Sequence, residues 1–585
     1  MRLRLLAVAA LTALAVTVAA APADGRPRAA KRLKAFSSCE AMVGYAARHV
    51  PAPMPVRRDM PLPPAAPMPE QAPAAGGAPD DTSQTNVQEA GVDEPDTVKT
   101  DGRTLFALAN GSLHAVDARS PEPTLLGTLD LRGGWGATLL LRKERAFVLG
   151  GGPRGARITE VDVSDPARMR VLRTEDFDGY IVDARLTGRT ARVVVSSYPE
   201  AIYGAPELRA RPSGWLPRST LRRLRSGKRV TSRAVGCRSV RRPRVFSGAG
   251  VLTVYTVDLA KGLPAVDADA VFTSADTVYA SATSLYVATQ RWDGEGMTSL
   301  HRFDTSDPDR TGYGTSGAVP GSLLNQFSLS EHEGILRAAT TVGFGPDAES
   351  RVTTLERRDG LLVKRGDVGG LGRGERIFAV RFIGDVGYVV TFREVDPLYT
   401  VDLADPDRPR VLGELKIPGY SAYLHPVGED LLLGVGQEAT AQGRLQGLQI
   451  SLFDVSDLAS PIRLQQLQLG ERWSQSAVEW DHHAFLWWPA TNLAVLPVDS
   501  SDFTGAAGFR VDRAAGIAEV GRVRHPGGPS IGRAVVVGER LLTVSDRGVR
   551  ASALDTFAPA GFAAFPASPP PPPGPKPIPL PEPIP

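Results

Sequence analysis

Five stretches of the chain repeat one design: VDARSPEPTLLGTL from Val116, VDVSDPARMRVLRT from Val161, FDTSDPDRTGYGT from Phe303, VDLADPDRPRVLGEL from Val401 and FDVSDLASPIRLQQL from Phe453. Each is a strand ending in Asp, a turn of Asp, Ser or Pro, and a second strand. The first two begin 45 residues apart and the last two 52, with the longer gaps near multiples of that step. A period of this size, with period-two apolar patterning and almost no helical stretch, specifies propeller blades rather than a solenoid or a sandwich. An Asp at such a strand end accepts hydrogen bonds from the N–H groups of its own turn, so Asp162, Asp304, Asp402 and Asp454 read as fold residues. In TLFALANGSLHAVDA, Asn110 and Gly111 supply the positive φ angles of a tight hairpin. The expected fold is therefore an all-β propeller of four-stranded antiparallel blades. Grouping strands into quartets from Thr97 to Phe565 gives eight or nine candidates, and since propellers rarely exceed eight, eight blades are expected, with seven or nine admitted.

The flanks read differently. Residues 1–23 carry Arg2 and Arg4, an apolar run from Leu5 to Ala21 and an A-x-A pattern at Ala21 to Ala23. That is a secretory signal, with an uncleaved anchor as the alternative reading. No later apolar run is long enough to span a membrane, so the mature chain is expected to be secreted or associated with the cell wall. Residues 24–50 hold one short helix, in which Ser37 and Glu40 have capping-box spacing. Residues 51–84 are a Pro-rich linker, and residues 566–585 a Pro-rich tail of disordered, polyproline II character. The propeller is expected over 85–565, with a basic insertion at 199–249 that interrupts the third quartet. Cys39 and Cys237 are the only cysteines. In an exported chain an even pair suggests a disulfide, against the alternatives of a reactive thiol at Cys39 or two unpaired buried thiols.

Candidate chemistry is sparse. Asp93, Glu94 and Asp96, with Asp101, are oxygen donors of the kind calcium needs, but they lack the alternation and central Gly of an EF-hand loop. Their structural reading is the polar seam where the first blade begins. In EWDHHAFLWW, adjacent residues of a strand face opposite ways, so His482 and His483 are not expected to ligate together unless the strand is bulged. No metal site and no catalytic residue is assigned. The insertion carries Arg222, Arg223, Arg225 and Arg229 among many other cations, which suits a polyanion. A solvated, partly disordered loop is the plainer expectation. With a net charge of +3 and 22% charged residues, the whole chain has no excess that would make nucleic acid its default partner, and sequence-specific nucleic-acid binding is not expected. No nucleophile elbow, zinc-protease helix, phosphate loop or dinucleotide turn is present.

TNVQEAGVDEPDTVKTDG at Thr85 to Gly102, SGAVPGSLLNQFSLSEHEGILRAATT at Ser316 to Thr341 and EWDHHAFLWWP at Glu479 to Pro489 resemble the secreted bacterial and archaeal proteins with a C-terminal beta-propeller distantly related to WD repeats. The resemblance covers Ser37 to Phe557. It implies this fold and export, and says nothing about substrate. The first functional expectation is a non-catalytic monomeric module that binds a protein or a cell-envelope polymer. The alternative is a secreted hydrolase or lyase with a carboxylate or metal site at the channel mouth, which convergence of Asp93, Glu94 and Asp96 with His332 or Asp481 would favour.

Overall fold

The computed structural model describes residues 33–50 and 81–567, apart from 132–135, 205, 244, 292–295, 394–395 and 429. The signal segment, most of the linker and most of the tail lie outside the described residues.

Within those residues the strands group into nine four-stranded antiparallel units, at 98–130, 138–178, 180–271, 277–320, 329–371, 376–417, 420–468, 486–523 and 533–564. We refer to them as blades 1 to 9. Nine is among the admitted counts, and the preference for eight rests on propellers rarely exceeding that number. Apolar clusters bridge neighbouring blades. Phe106 and Leu113 of blade 1 meet Leu139 and Val148 of blade 2, and Val98 and Leu105 of blade 1 meet Leu542 and Val549 of blade 9, so the ring closes on itself.

The repeated turn is what joins one blade to the next. Asp162, Asp304, Asp402 and Asp454 each accept from the N–H two residues on, at 3.1, 3.1, 3.1 and 2.9 Å. The turn so formed then docks on the preceding blade. Thr190 donates to the Pro308 carbonyl at 2.7 Å, and Thr354 donates to that of Pro406 at 2.5 Å. Gly413 sits where a Cβ would lie 2.5 Å from the Leu458 carbonyl oxygen, so only glycine lets the turn come this close. Asn110 and Gly111 take φ angles of 53° and 73° in the first hairpin, as their sequence requires.

Two boundaries move. The propeller begins before residue 85, since Thr82 pairs with Val537 and the Ser83 N–H donates to Val536 O at 2.9 Å. The insertion is not a disordered loop. It extends the outer edge of blade 2 with the antiparallel hairpin Arg218–Arg223 and Arg229–Arg233 and then returns beside blade 3. Trp215 is fully buried among Met42, Tyr45, Phe36 and Phe272, so the insertion and the N-terminal helix Cys39–His49 share a satellite core on blade 3. The helix is capped by Ser38, whose Oγ accepts from Ala41 N, rather than by Ser37. Cys39 and Cys237 are disulfide-bonded across this core. The bond closes a long stretch of chain, so Cys39→Ser and Cys237→Ser should each cost on the order of 3 kcal/mol and loosen the helix. Limited proteolysis around residue 50 reads this out, and the two variants should behave alike because either breaks the same bond.

Candidate site in the central channel

The acidic stretch is neither a free loop nor a hairpin. Residues 82–97 run through the centre of the ring and meet the blades in reverse order. Thr82 and Ser83 hold blade 9. The Asn86 amide donates to the Tyr423 hydroxyl of blade 7 at 3.0 Å and to His482 O, ahead of blade 8, at 2.8 Å. The Gln88 amide donates to Leu329 O of blade 5 at 2.8 Å, and the Tyr279 hydroxyl of blade 4 donates to Glu89 at 2.7 Å. Val92 and Asp93 pair with Thr187 and Leu186 of blade 3, and Asp96 exchanges backbone hydrogen bonds with Leu139 of blade 2 at 3.1 and 2.7 Å. Val98 then opens blade 1. The innermost strands present polar groups to the channel, and this segment satisfies many of them.

Its carboxylates point to three different cations. Asp93 pairs with Lys99 at 2.6 Å, Glu94 with Arg185 at 3.2 Å and Asp96 with Arg533 at 2.7 Å. Arg533 also pairs with Asp481 at 2.6 Å, and Asp481 accepts from the His483 ring at Nδ1, 2.9 Å away. Arg185 in turn pairs with Asp183 at 2.5 Å and donates to Gln326 Oε1 and Val278 O. Asp96 and Asp481 thus share one guanidinium. His332 does not join them: it sits at the tip of the hairpin Leu329–His332 and Ile335–Val342, 3.5 Å from Asp385.

His482 and His483 do not lie on a strand. Ser476 and Glu479 cap one 3₁₀ turn and Asp481 caps the next, His482–Ala484, by accepting from His483 N at 3.0 Å. In a turn, adjacent side chains need not diverge. The two rings stack with centroids 4.8 Å apart, and each can offer a ring nitrogen to a shared point together with a Glu94 oxygen. The sequence signals were the capping spacing S-x-x-E at 476–479 and the Asp two residues before His483. Burial pushes the Glu94 carboxyl up to about 8, against the pull of Arg185. Burial also disfavours the Asp481 carboxylate, but Arg533 and His483 outweigh it and hold that carboxyl well below the ordinary range. Burial keeps His482 neutral, its pKa well below the usual value, with His483 adding repulsion.

Two cavities meet at this cluster. One of about 690 Å³ opens among Tyr180, Asp276 and Asn325, and the other, of about 500 Å³, opens among Lys99, Arg142 and Lys143. Both reach Asp96, His483 and Arg533, so the cluster forms a septum across the channel.

The profile of the family described as "Beta propeller domain" matches residues 82–557. The chain belongs to that family. The match begins where the inner segment begins, so the segment is part of the beta propeller domain and not a linker to it. Uncharacterized proteins of Methanocaldococcus jannaschii and Archaeoglobus fulgidus are 44% identical over 182 residues and 45% over 186, covering 31% and 32% of this chain. The matched region spans 28% of the length of each of these relatives. Among solved structures, a crystal structure of Chaetomium thermophilum Sqt1 bound to the N-terminus of ribosomal protein L10 is 12% identical with a TM-score of 0.37, covering 60% of this chain and 85% of that one. A chain of a mitotic checkpoint complex is 14% identical with a TM-score of 0.31, covering 55% and 88%. Such likeness concerns the fold alone. Among the described residues no helix is long and apolar enough to cross a membrane.

Proposed function

We propose that this beta propeller is an exported, monomeric binding module that holds a protein or a cell-envelope polymer on one face of the ring. In an antiparallel blade, the loops between second and third strands and those leading to the next blade share a face, and the repeated Asp turns lie on the other. The observation that carries the reading is that the five described aromatic side chains most open to solvent, Tyr198, Tyr203, Phe344, Trp473 and Trp480, all belong to loops of the first kind. Phe344 and Trp473 are each 84% exposed. Aromatics of this kind dominate binding energy where they enter a partner. In the channel beneath, Asp96 and Asp481 do converge, as the enzymatic alternative requires, but on the guanidinium of Arg533, whereas the exposed aromatics gather on the face. The intact protein should sediment with washed envelopes or cross-link to a partner on them. Phe344→Ser with Trp473→Ser should weaken retention roughly 30-fold at unchanged melting temperature. Full retention by the double variant would overturn the reading.

A second reading rests on the added hairpin. Arg222, Arg223, Arg225, Lys228, Arg229 and Arg233 are exposed there, and none is ion-paired among the described residues. These cations suit an anionic polymer, whose affinity should fall steeply with salt and fall further in a variant with Arg222, Arg223, Arg225 and Arg229 changed to Gln. Salt-independent binding would exclude it.

A further inference from the structure

We propose that Glu94, His482 and His483 form a site for one divalent first-row transition ion, such as zinc, at the centre of the channel. Three donors from two distant parts of the chain lie with their ligand atoms within 4.8 Å of one another, and all three residues are buried. The imidazole Nε2 atoms of His482 and His483 are buried with no hydrogen-bond partner. A buried polar atom left unpaired is destabilising, and here two of them lie in one cluster. A metal ion satisfies both at once.

The surroundings fit such an ion. His483 is oriented by Asp481 at its other nitrogen, the carboxylate–histidine arrangement that fixes a ring for ligation. Glu94, Asp96, Asp183 and Asp481 gather around the guanidiniums of Arg185 and Arg533, so the ligand set lies in a carboxylate-rich pocket. Two imidazoles with one carboxylate suit zinc, iron, cobalt or nickel rather than calcium, which prefers an all-oxygen shell. Both cavities reach His483, which gives the ion a path from solvent.

The test uses the full folded chain, stripped with chelator and titrated with Zn²⁺, Co²⁺ and Ca²⁺. One Zn²⁺ per chain should bind, Co²⁺ should give visible absorption bands of nitrogen ligation, and His482→Gln or Glu94→Gln should weaken Zn²⁺ at least about 10-fold. Because either variant can fail to fold, the ring ¹⁵N resonances of His482 and His483 are also followed in the unaltered protein, where Zn²⁺ should shift both. Unmoved resonances, binding that survives both substitutions, or heat with Ca²⁺ alone would overturn the proposal.

Discussion

Arg533→Met is expected to lower the unfolding free energy by about 3–5 kcal/mol, the cost of leaving buried charge without its partner. Asp96 and Asp481 both turn to this guanidinium, and all three side chains are at most 8% exposed. The loss falls at one point of the ring where three pieces of chain meet: the inner segment, the turn before blade 8 and the first strand of blade 9. Neutralising one stranded carboxylate should recover part of it, so Arg533→Met with Asp96→Asn should be more stable than Arg533→Met alone. Denaturant melts of the four proteins measure this coupling. Strict additivity of the two substitutions would mean that the cluster does not hold the segment.

Four buried histidines should make the fold lose stability in mild acid. Burial lowers the pKa of His301 and of His525 to about 4, and lowers those of His114 and His425 as well. An unfolded chain protonates its histidines near 6.5, so between about pH 6.5 and 4 it binds protons that the native state refuses. The contribution of these imidazoles is therefore complete above pH 6.5, declines as pH falls through that window and levels off below it. A shift of this size corresponds to on the order of 3 kcal/mol for each of His301 and His525. His301 carries much of this cleanly, since neither ring nitrogen has a hydrogen-bond partner. His301→Leu should accordingly reduce the loss between pH 7 and pH 4 by about 3 kcal/mol. An unchanged pH profile would show that this imidazole is charged in the native state.

The blades were legible because their signals are local. An Asp and the N–H it caps lie two residues apart, and Asn110 with Gly111 makes a hairpin without help from the rest of the chain. The channel was not legible, because its contacts join residues hundreds of positions apart: Asn86 to His482, Gln88 to Leu329, Asp96 to Arg533. No period or composition marks a segment whose contacts are spread around the ring. The acidic stretch was correctly placed at the seam of the first blade, but its partners are spread around the whole ring. His482 and His483 were misplaced for a local reason, since apolar neighbours at 485–488 suggested a strand where two capped turns occur. The insertion looked disordered from its charge, and its order comes from Trp215, the disulfide and the edge of blade 2.

The central claim is that residues 82–97 are an inner clasp that holds the ring together from within its channel. Hydrogen exchange of the intact protein tests it most directly, at the amides of Ser83 and Asp96, which donate to Val536 and Leu139 of blades 9 and 2. Protection comparable to that of the blade strands, lost only with global unfolding, is the predicted result. Exchange at the rate of an open loop would contradict the clasp, and with it the assignment of binding to the outer face.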